Sequence, residues 1–387
     1  MARFRARGLA AILASLAWAG GCAGPASANG RPASVTPGPA PAAVLPAPAV
    51  AVAVTPPPPP RLWPFKHIFG ADYVDVAAIA ERHALKPAWV TSGRTLELAD
   101  AQGRVRLKFE DHDRSFFLDG VRVFLGDPTV GYQGSLWVTK IDVIKTVVPL
   151  LRPDEHAAQL PPPPRLIVLD AGHGGTDDGT SNKQLKLLEK NLTLDTVRRL
   201  ERLLVTRGYR VILTRAEDRY VSLDQRDAIA DAAHADLFVS VHFNATAPEV
   251  HGVETWVMTP QFQTSTEAEN DKSMIPVAYP GNRQDFANIL LGYALHRRVL
   301  ASLGTGDRGL KRRRLAVLRM LNCPGVLVES AYLSNEAEAR RVATPEYRER
   351  IATALADAVD DYAALLATVH PATTLPVETH PPAVSSH

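Results

Sequence analysis

Cysteine is almost missing: Cys22 and Cys323 are the only two in 387 residues. Two distant thiols supply neither a disulfide framework nor the paired spacing of a zinc finger. Excess charge is missing as well. The 43 basic and 41 acidic side chains leave a formal charge of +2, so no overall field draws in a polyanion and no nucleic-acid partner is expected. A long apolar run is absent too. The one near the amino terminus, LAAILASLAWAGG, is too short for an ordinary membrane span. What the chain does have is proline, 31 residues of it, and enough length and apolar content for one large domain and a smaller one.

The basic head MARFRARG followed by the short apolar run has the order of an export signal over residues 1–28. Two processing readings stand side by side. Ala26-Ser27-Ala28 fits a small-x-small cleavage site, whereas Ala19-Gly20-Gly21-Cys22 resembles a lipoprotein box with Ala in place of the usual Leu, which would lipid-anchor the protein through Cys22. Both place it in the cell envelope, periplasmic or secreted in the first case; the opposing reading is a cytoplasmic protein with a disordered basic start. Residues 29–60, nearly all Pro, Ala, Val and Thr, cannot build a core and read as a polyproline spacer reaching on the order of 100 Å at about 3.1 Å per residue.

Residues 61–152 open with a helix pattern, YVDVAAIAERHAL, and continue as short alternating pieces such as TLELAD, VRLKFED, SFFLDG and VRVFLG, as in a meander of hairpins. This small β-rich segment resembles the stalk-type domain akin to the amino-terminal domain of copper amine oxidases. It has no catalytic cluster, and His112 between two aspartates reads as a solvated loop. A second proline run closes the linker 153–164, and the tail 369–387 reads as disordered.

Across 165–368 the pattern becomes apolar strands alternating with helical periods. Strands are expected at RLIVLD, YRVILTR, DLFVSVHFNA, GVETWVM and GVLVES, and helices near 184–207, 222–233, 285–303 and 345–367. The fold class is therefore α/β, a mostly parallel sheet covered by helices on both faces and preceded by the small α+β or β-rich domain. Sites in such sheets gather at the carboxyl ends of the strands. His173 in LIVLDAGHGG, His242 in SVHFNA and Glu329 in GVLVES fall at those ends. Glu189 in KLLEKNL can face the same edge while Leu185, Leu188 and Leu192 dock on the sheet.

Two histidines and a glutamate with an open fourth position form a catalytic zinc set. Plainer readings compete: a turn histidine, Glu189 paired with Lys186 on a helix surface, or a glycine loop cradling phosphate. The last lacks GxGxxG spacing and a GK[ST] ending. Glu329 after three apolar residues is harder to set aside, because a buried carboxylate is costly unless partnered or functional. The segment between GVETWVM and Asn282 is longer than an ordinary connection and is expected to gate the site or to be an inert insertion. The run Lys311 to Arg314 reads as a solvated face or as a contact for substrate carboxylates.

DAGHGGTDDG, LLEKNL, Thr214-Arg215, ADLFVSVHFNA, GVETW, RGLK, VLR and PGVLVESAYLSN together resemble the zinc-dependent N-acetylmuramoyl-L-alanine amidases of the Amidase_3 type, over roughly residues 165–365. The resemblance implies that His173, Glu189 and His242 bind Zn2+, that Glu329 is the catalytic glutamate, and that the partner is peptidoglycan, cut between N-acetylmuramic acid and L-alanine. Departures are small: Thr180 where Ala is frequent, Ser330 and Ala331 near a usual Gly, and His234 where Asn is usual. His234 is expected on a helix surface, and Cys323 as a packed small residue. A zinc carboxypeptidase acting on the stem peptide and a silent wall-binding module stay open as alternatives. Substrate-binding residues, stem-peptide preference and any activator protein are not legible.

Overall fold

The computed structural model describes residues 62–267 and 272–370. The export signal, Cys22, the proline spacer and the tail beyond His370 lie outside them. The described residues form one compact unit. It begins with strands β1 (Lys66–Ile68) and β2 (Ala71–Asp75) and helix α1 (Val76–Arg82), capped by the Asp75 side chain on Ala77 N at 2.9 Å. The expected helix is thus shorter, because Tyr73 and Val74 pair in β2 with Thr139 and Val138.

A meander follows: β3 (Lys86–Thr91), β4 (Thr95–Ala99), β5 (Val105–Glu110), β6 (Ser115–Leu118) and β7 (Val121–Phe124), then β8 (Val130–Tyr132) and β9 (Ser135–Thr139). Alternation decides its faces. Leu96, Leu98, Leu107, Phe109, Phe116, Leu118 and Val123 are buried, while Arg106, Lys108, Phe117 and Arg122 between them stay partly exposed. A helical stretch of α2 (Lys140–Asp142), one wide turn and α3 (Val148–Leu151) leads to the proline run.

The second half starts with β10 (Leu166–Ala171), six buried residues, and the small hairpin β11 (Ser181–Asn182) and β12 (Leu187–Leu188). Then come α4 (Glu189–Thr206), β13 (Arg210–Leu213), α5 (Leu223–Ala232), β14 (Leu237–Asn244), β15 (Val253–Val257), α6 (Asp285–Leu303), β16 (Asp307–Arg312), α7 (Ala316–Arg319), β17 (Gly325–Tyr332), α8 (Glu336–Val342) and α9 (Pro345–Val369). Helices α4, α6 and α9 close one face around Val239, Val241, Val326 and Val328. On the other, α5 and α7 pack on Val168, Phe238 and Leu327.

The sheet is mixed, which corrects the expectation of a mostly parallel one. Its order is β13-β10-β14-β17-β15-β16-β7-β6-β5-β4-β3. The first four strands are parallel, β15 runs antiparallel to β17, and β16 is parallel to both β15 and β7, after which the meander is antiparallel throughout. The meander therefore extends the catalytic sheet instead of standing apart from it. Strand β16 was not foreseen, since DRGLKR alternates too little to read as a strand.

Candidate active site

The carboxyl end of β10 and the turn after it explain the glycines around His173. His173 adopts φ +61°, and Gly172 packs so tightly that a Cβ there would sit 2.3 Å from the His242 ring. At Gly179, φ +67°, a Cβ would meet Glu189 Oε2 and the His173 ring at 2.6 Å. The turn is thus cleared so that two imidazoles and a carboxylate can meet.

They do meet. Glu189, 1% exposed at the first turn of α4, accepts from Thr180 N at 2.8 Å and Phe243 N at 3.0 Å. His242 Nδ1 lies 2.9 Å from its Oε1, and His173 Nε2 lies 3.1 Å from its Oε2. The expected docking on the sheet holds for Leu192, buried on α4, while Leu185 and Leu188 are half-buried and precede the helix, which starts at Glu189 and not at 184 because Leu187 and Leu188 pair in β12. Among the described residues, His173, Glu189 and His242 are the group able to hold a metal ion, their ligand atoms all within 4.8 Å of one another. The alternative pairing of Glu189 with Lys186 is not formed.

The electrostatics follow from burial and partners. Burial would raise the Glu189 carboxyl, but the hydrogen bonds and charge of both histidines hold it far below the usual carboxylate range. Burial likewise lowers His173, yet Glu189 and Asp177 outweigh it and raise the imidazole above 6.5. Asp177 Oδ2 sits 2.9 Å from His173 Nδ1, so it fixes which ring nitrogen faces Glu189.

Glu329 stands beside this group by register, paired across the ladder with His242 on one side and Glu254 on the other. Its Oε2 is sealed from solvent and has no hydrogen-bond partner among the described residues. Burial first, then the charges of Glu189 and Glu254, push its carboxyl well above 4.5. Glu254 accepts from Asn244 Nδ2 at 2.6 Å, Trp256 Nε1 at 3.2 Å and Lys311 Nζ at 2.8 Å.

Beneath the turn lies a network that the sequence reading missed. Asp170 accepts from Thr214 Oγ1 at 2.6 Å, from Ser240 Oγ at 2.7 Å and from the buried Arg226, which also donates to His173 O at 2.8 Å. Arg215, fully buried, donates to Ala171 O at 2.9 Å and to Gly172 O and Lys190 O at 2.8 Å. These guanidiniums hold the backbone that presents His173. The available signal was charge inside apolar context, in VLD and LTR.

A groove of about 350 Å³ opens on His173, Asp177 and His242, with Tyr220, Val221, Leu223, Leu315 and Val317 as an apolar wall. The described residues of the segment after β15 do not line it. Arg314 donates to the Pro260 and Gln263 carbonyls at 2.9 Å and Arg114 to Ser265 O at 2.9 Å, while Gln263 bonds Asp142. The described part of that insertion is wedged against the meander. Lys311, Arg312 and Arg314 are 2%, 1% and 6% exposed, which corrects the solvated-face expectation for all of the run but the exposed Arg313: the three buried cations, two on the interior strand β16 and one just past it, are taken up by Glu254, Glu267 and backbone carbonyls. His234 is exposed just past α5, His112 is exposed on a turn, and Cys323 is buried, its thiol pushed up to about 12 by burial.

The sequence profile described as N-acetylmuramoyl-L-alanine amidase matches residues 167–361. The chain belongs to that family. It is a peptidoglycan amidase. The uncharacterized protein YqiI of Bacillus subtilis is 30% identical over 212 residues, 55% of this chain and 91% of that protein. The N-acetylmuramoyl-L-alanine amidase LytC of Bacillus subtilis is 32% identical over 197 residues, 51% of this chain and 35% of LytC. The amidase AmiC of Neisseria meningitidis is 33% identical over 218 residues, 51% and 52% of the two chains. The chain thus spans about a third and about half of those two amidases. Among solved structures, the catalytic domain of the amidase CwlV from Bacillus (Paenibacillus) polymyxa superposes with a TM-score of 0.43 and 27% identity, covering 52% of this chain and 98% of that one.

Proposed function

We propose that the protein hydrolyses the amide between the lactyl group of N-acetylmuramic acid and L-alanine, with His173, Glu189 and His242 holding a zinc ion and Glu329 moving the proton. The observation that carries this reading is the three-residue donor group, within 4.8 Å, beside a carboxyl whose sealed Oε2 has no partner. The donor set fits the metal: two imidazoles and one carboxylate, with Asp177 behind His173 as the outer contact that fixes the ring. Bound there, zinc would supply Lewis acidity, polarising a carbonyl and lowering the pKa of a water toward about 7.

Glu329 takes the proton of the attacking water and returns it to the departing amine of L-alanine. A carboxyl raised by burial and by neighbouring carboxylates is suited to both halves of that transfer. The apolar wall of Tyr220, Leu223 and Val317 excludes water from one side of the groove. A cell-envelope location accords with this substrate, reached by the export signal and the proline spacer. Among the described residues no helix is long and apolar enough to cross a membrane. Replacing Cys22 with Ser and following membrane fractionation separates a lipid anchor from a soluble form.

The test separates metal from base. Glu329→Gln is expected to keep about one zinc per chain and lower turnover by about 10² to 10⁴-fold, while His173→Ala and His242→Ala lose metal and activity together. A fully active Glu329→Gln enzyme refutes the base. Mass spectrometry of digested sacculi reads the bond: stem peptides freed at L-alanine support the amidase, and release of D-alanine alone transfers the site to carboxypeptidase chemistry.

A further inference from the structure

We propose that Tyr220 is the residue that reads the sugar: its ring stacks on the muramic acid pyranose, and the groove wall beside it takes the uncharged side of the scissile amide. The inference deepens the amidase reading and rests on it for the identity of that sugar. Its geometry comes from the connection between β13 and α5, residues 214–222, which lies against the turn that carries His173.

That contact is backbone on backbone. A Cβ on Gly174, at φ +128°, would stand 2.2 Å from Arg219 O, and one on Gly175, at φ +60°, would stand 2.5 Å from Tyr220 N. Gly175 N also donates to Asp218 Oδ1 at 2.7 Å. Lys190 Nζ ties both segments, donating to Gly175 O at 2.8 Å and lying 3.2 Å from Asp218 Oδ2. The buried guanidiniums beneath the turn reach the same connection. Arg215 Nη1 donates to Glu217 O and Arg226 Nε to Val221 O, each at 3.2 Å, while Arg219 Nη2 closes the loop on Thr214 O at 2.8 Å.

The Tyr220 backbone is thereby fixed with respect to His173, yet its side chain is not packed away. Tyr220 is 56% exposed and Leu223, the first residue of α5, is 50% exposed, and both line the groove. A large apolar surface held in place and left open beside a reactive centre marks a binding surface, and its rigidity lowers the cost of ordering on binding.

The charges of the groove decide which side of the substrate lies there. Of its ionisable lining residues, Asp170 and Arg226 neutralise each other and the two histidines are proposed ligands, which leaves the exposed carboxylate of Asp177. A stem peptide brings carboxylates of its own, and like charges oppose one another. The sugar side carries no charge. Its C–H faces match an aromatic ring, and Leu223, Leu315 and Val317 offer apolar contact to the N-acetyl and lactyl methyls.

Two soluble substrates carry the test on the full-length zinc enzyme: N-acetylmuramoyl-L-alanyl-D-isoglutamine and the same peptide bearing only a D-lactyl group. The ratio of kcat/KM between them measures what the sugar contributes. Tyr220→Ala is expected to lower that ratio about 3- to 10-fold, with zinc content unchanged, and Tyr220→Phe, which keeps the ring, to hold it within about twofold. A ratio that Tyr220→Ala leaves in place, or that Tyr220→Phe lowers as much, overturns the assignment. Binding is read without catalysis in the Glu329→Gln chain by saturation-transfer NMR with the methylamide of N-acetylmuramic acid. Saturation of the pyranose protons that is lost on adding Tyr220→Ala supports the subsite; saturation unaffected by that substitution, or none at all, overturns it. The products keep this apart from the amidase reading: a wild type that releases only D-alanine refutes the bond assignment, while the NMR outcome still decides whether Tyr220 holds the sugar.

Discussion

Asp177 is not among the proposed ligands, yet it decides which nitrogen of His173 is presented to Glu189, 2.9 Å away through the ring's other nitrogen. Asp177→Asn is expected to weaken metal affinity about 10- to 100-fold, read by chelator competition, with the thermal midpoint of the apo chain unchanged. A second residue makes the opposite kind of statement. Asp227 is 3% exposed, both its carboxyl oxygens lack hydrogen-bond partners among the described residues, and burial with Asp231, Asp170 and Asp224 nearby pushes it up to about 7. The folded chain then holds a proton that the unfolded chain releases near pH 4. Its contribution is full below that pH and is lost as pH rises through about 7. Urea midpoints of wild type should therefore fall between pH 4 and 7 relative to Asp227→Asn; parallel curves would refute the buried acid. The meeting of His173, His242 and Glu329 at one sheet edge was legible because they stand at strand ends, and that of Glu189 because it stands in the helix pattern after the glycine turn. Asp170, Arg215 and Arg226 were not. Asp170 meets Thr214 and Ser240 from 44 and 70 positions away, and no local pattern marks such a meeting.

At the scale of elements, β16 shows why a basic run misleads. Lys311, Arg312 and Arg314 look like a solvated face until β15 and β7 flank them, and only then do Glu254, Glu267 and the carbonyls of Met258 and Lys145 become partners. Lys311 also stands guard over charge near the proposed base, since Glu254 is the ladder neighbour of Glu329. Lys311→Met removes the cation from Glu254 and leaves its negative charge uncompensated. That charge raises the Glu329 carboxyl further, so the acid limb of the pH–rate profile is expected to move to higher pH. A profile that stays in place, in a variant that still folds by circular dichroism, would show that the pair is insulated from the base. Helix α6 was read at its observed limits and α9 within two residues, because long amphipathic periods are local signals, whereas α4 was expected five residues early because Leu187 and Leu188 pair in β12 instead.

For the whole molecule, the mixed sheet is what the sequence concealed. Alternation predicts strands, but the partner of each strand is a non-local choice, and the proline run between the halves looked like a boundary. Instead Leu310 pairs with Val123, Arg122 N donates to Asp307 Oδ2 at 2.9 Å, and Tyr293 Oη donates to Leu118 O at 2.9 Å. A chain that starts at Pro161 should therefore expose the β16 edge and part of α6. It is expected to self-associate more than the full chain on size-exclusion chromatography with light scattering. A monodisperse truncated monomer with unchanged stability would contradict this.

The antiparallel strand β15 sits between β17 and β16, and that position has a consequence in time. Strands β14 and β15 are neighbours in the sequence but not in the sheet; β17, which separates them, is made some seventy residues later. A chain emerging from its amino terminus holds the two histidines and Glu189 on one part-built sheet and the meander with β15 and β16 on another. The strand that carries Glu329 is also the one that welds the two together. Long-range pairings of this kind form late, so the proposed base meets the proposed ligands only when the last strand closes the sheet.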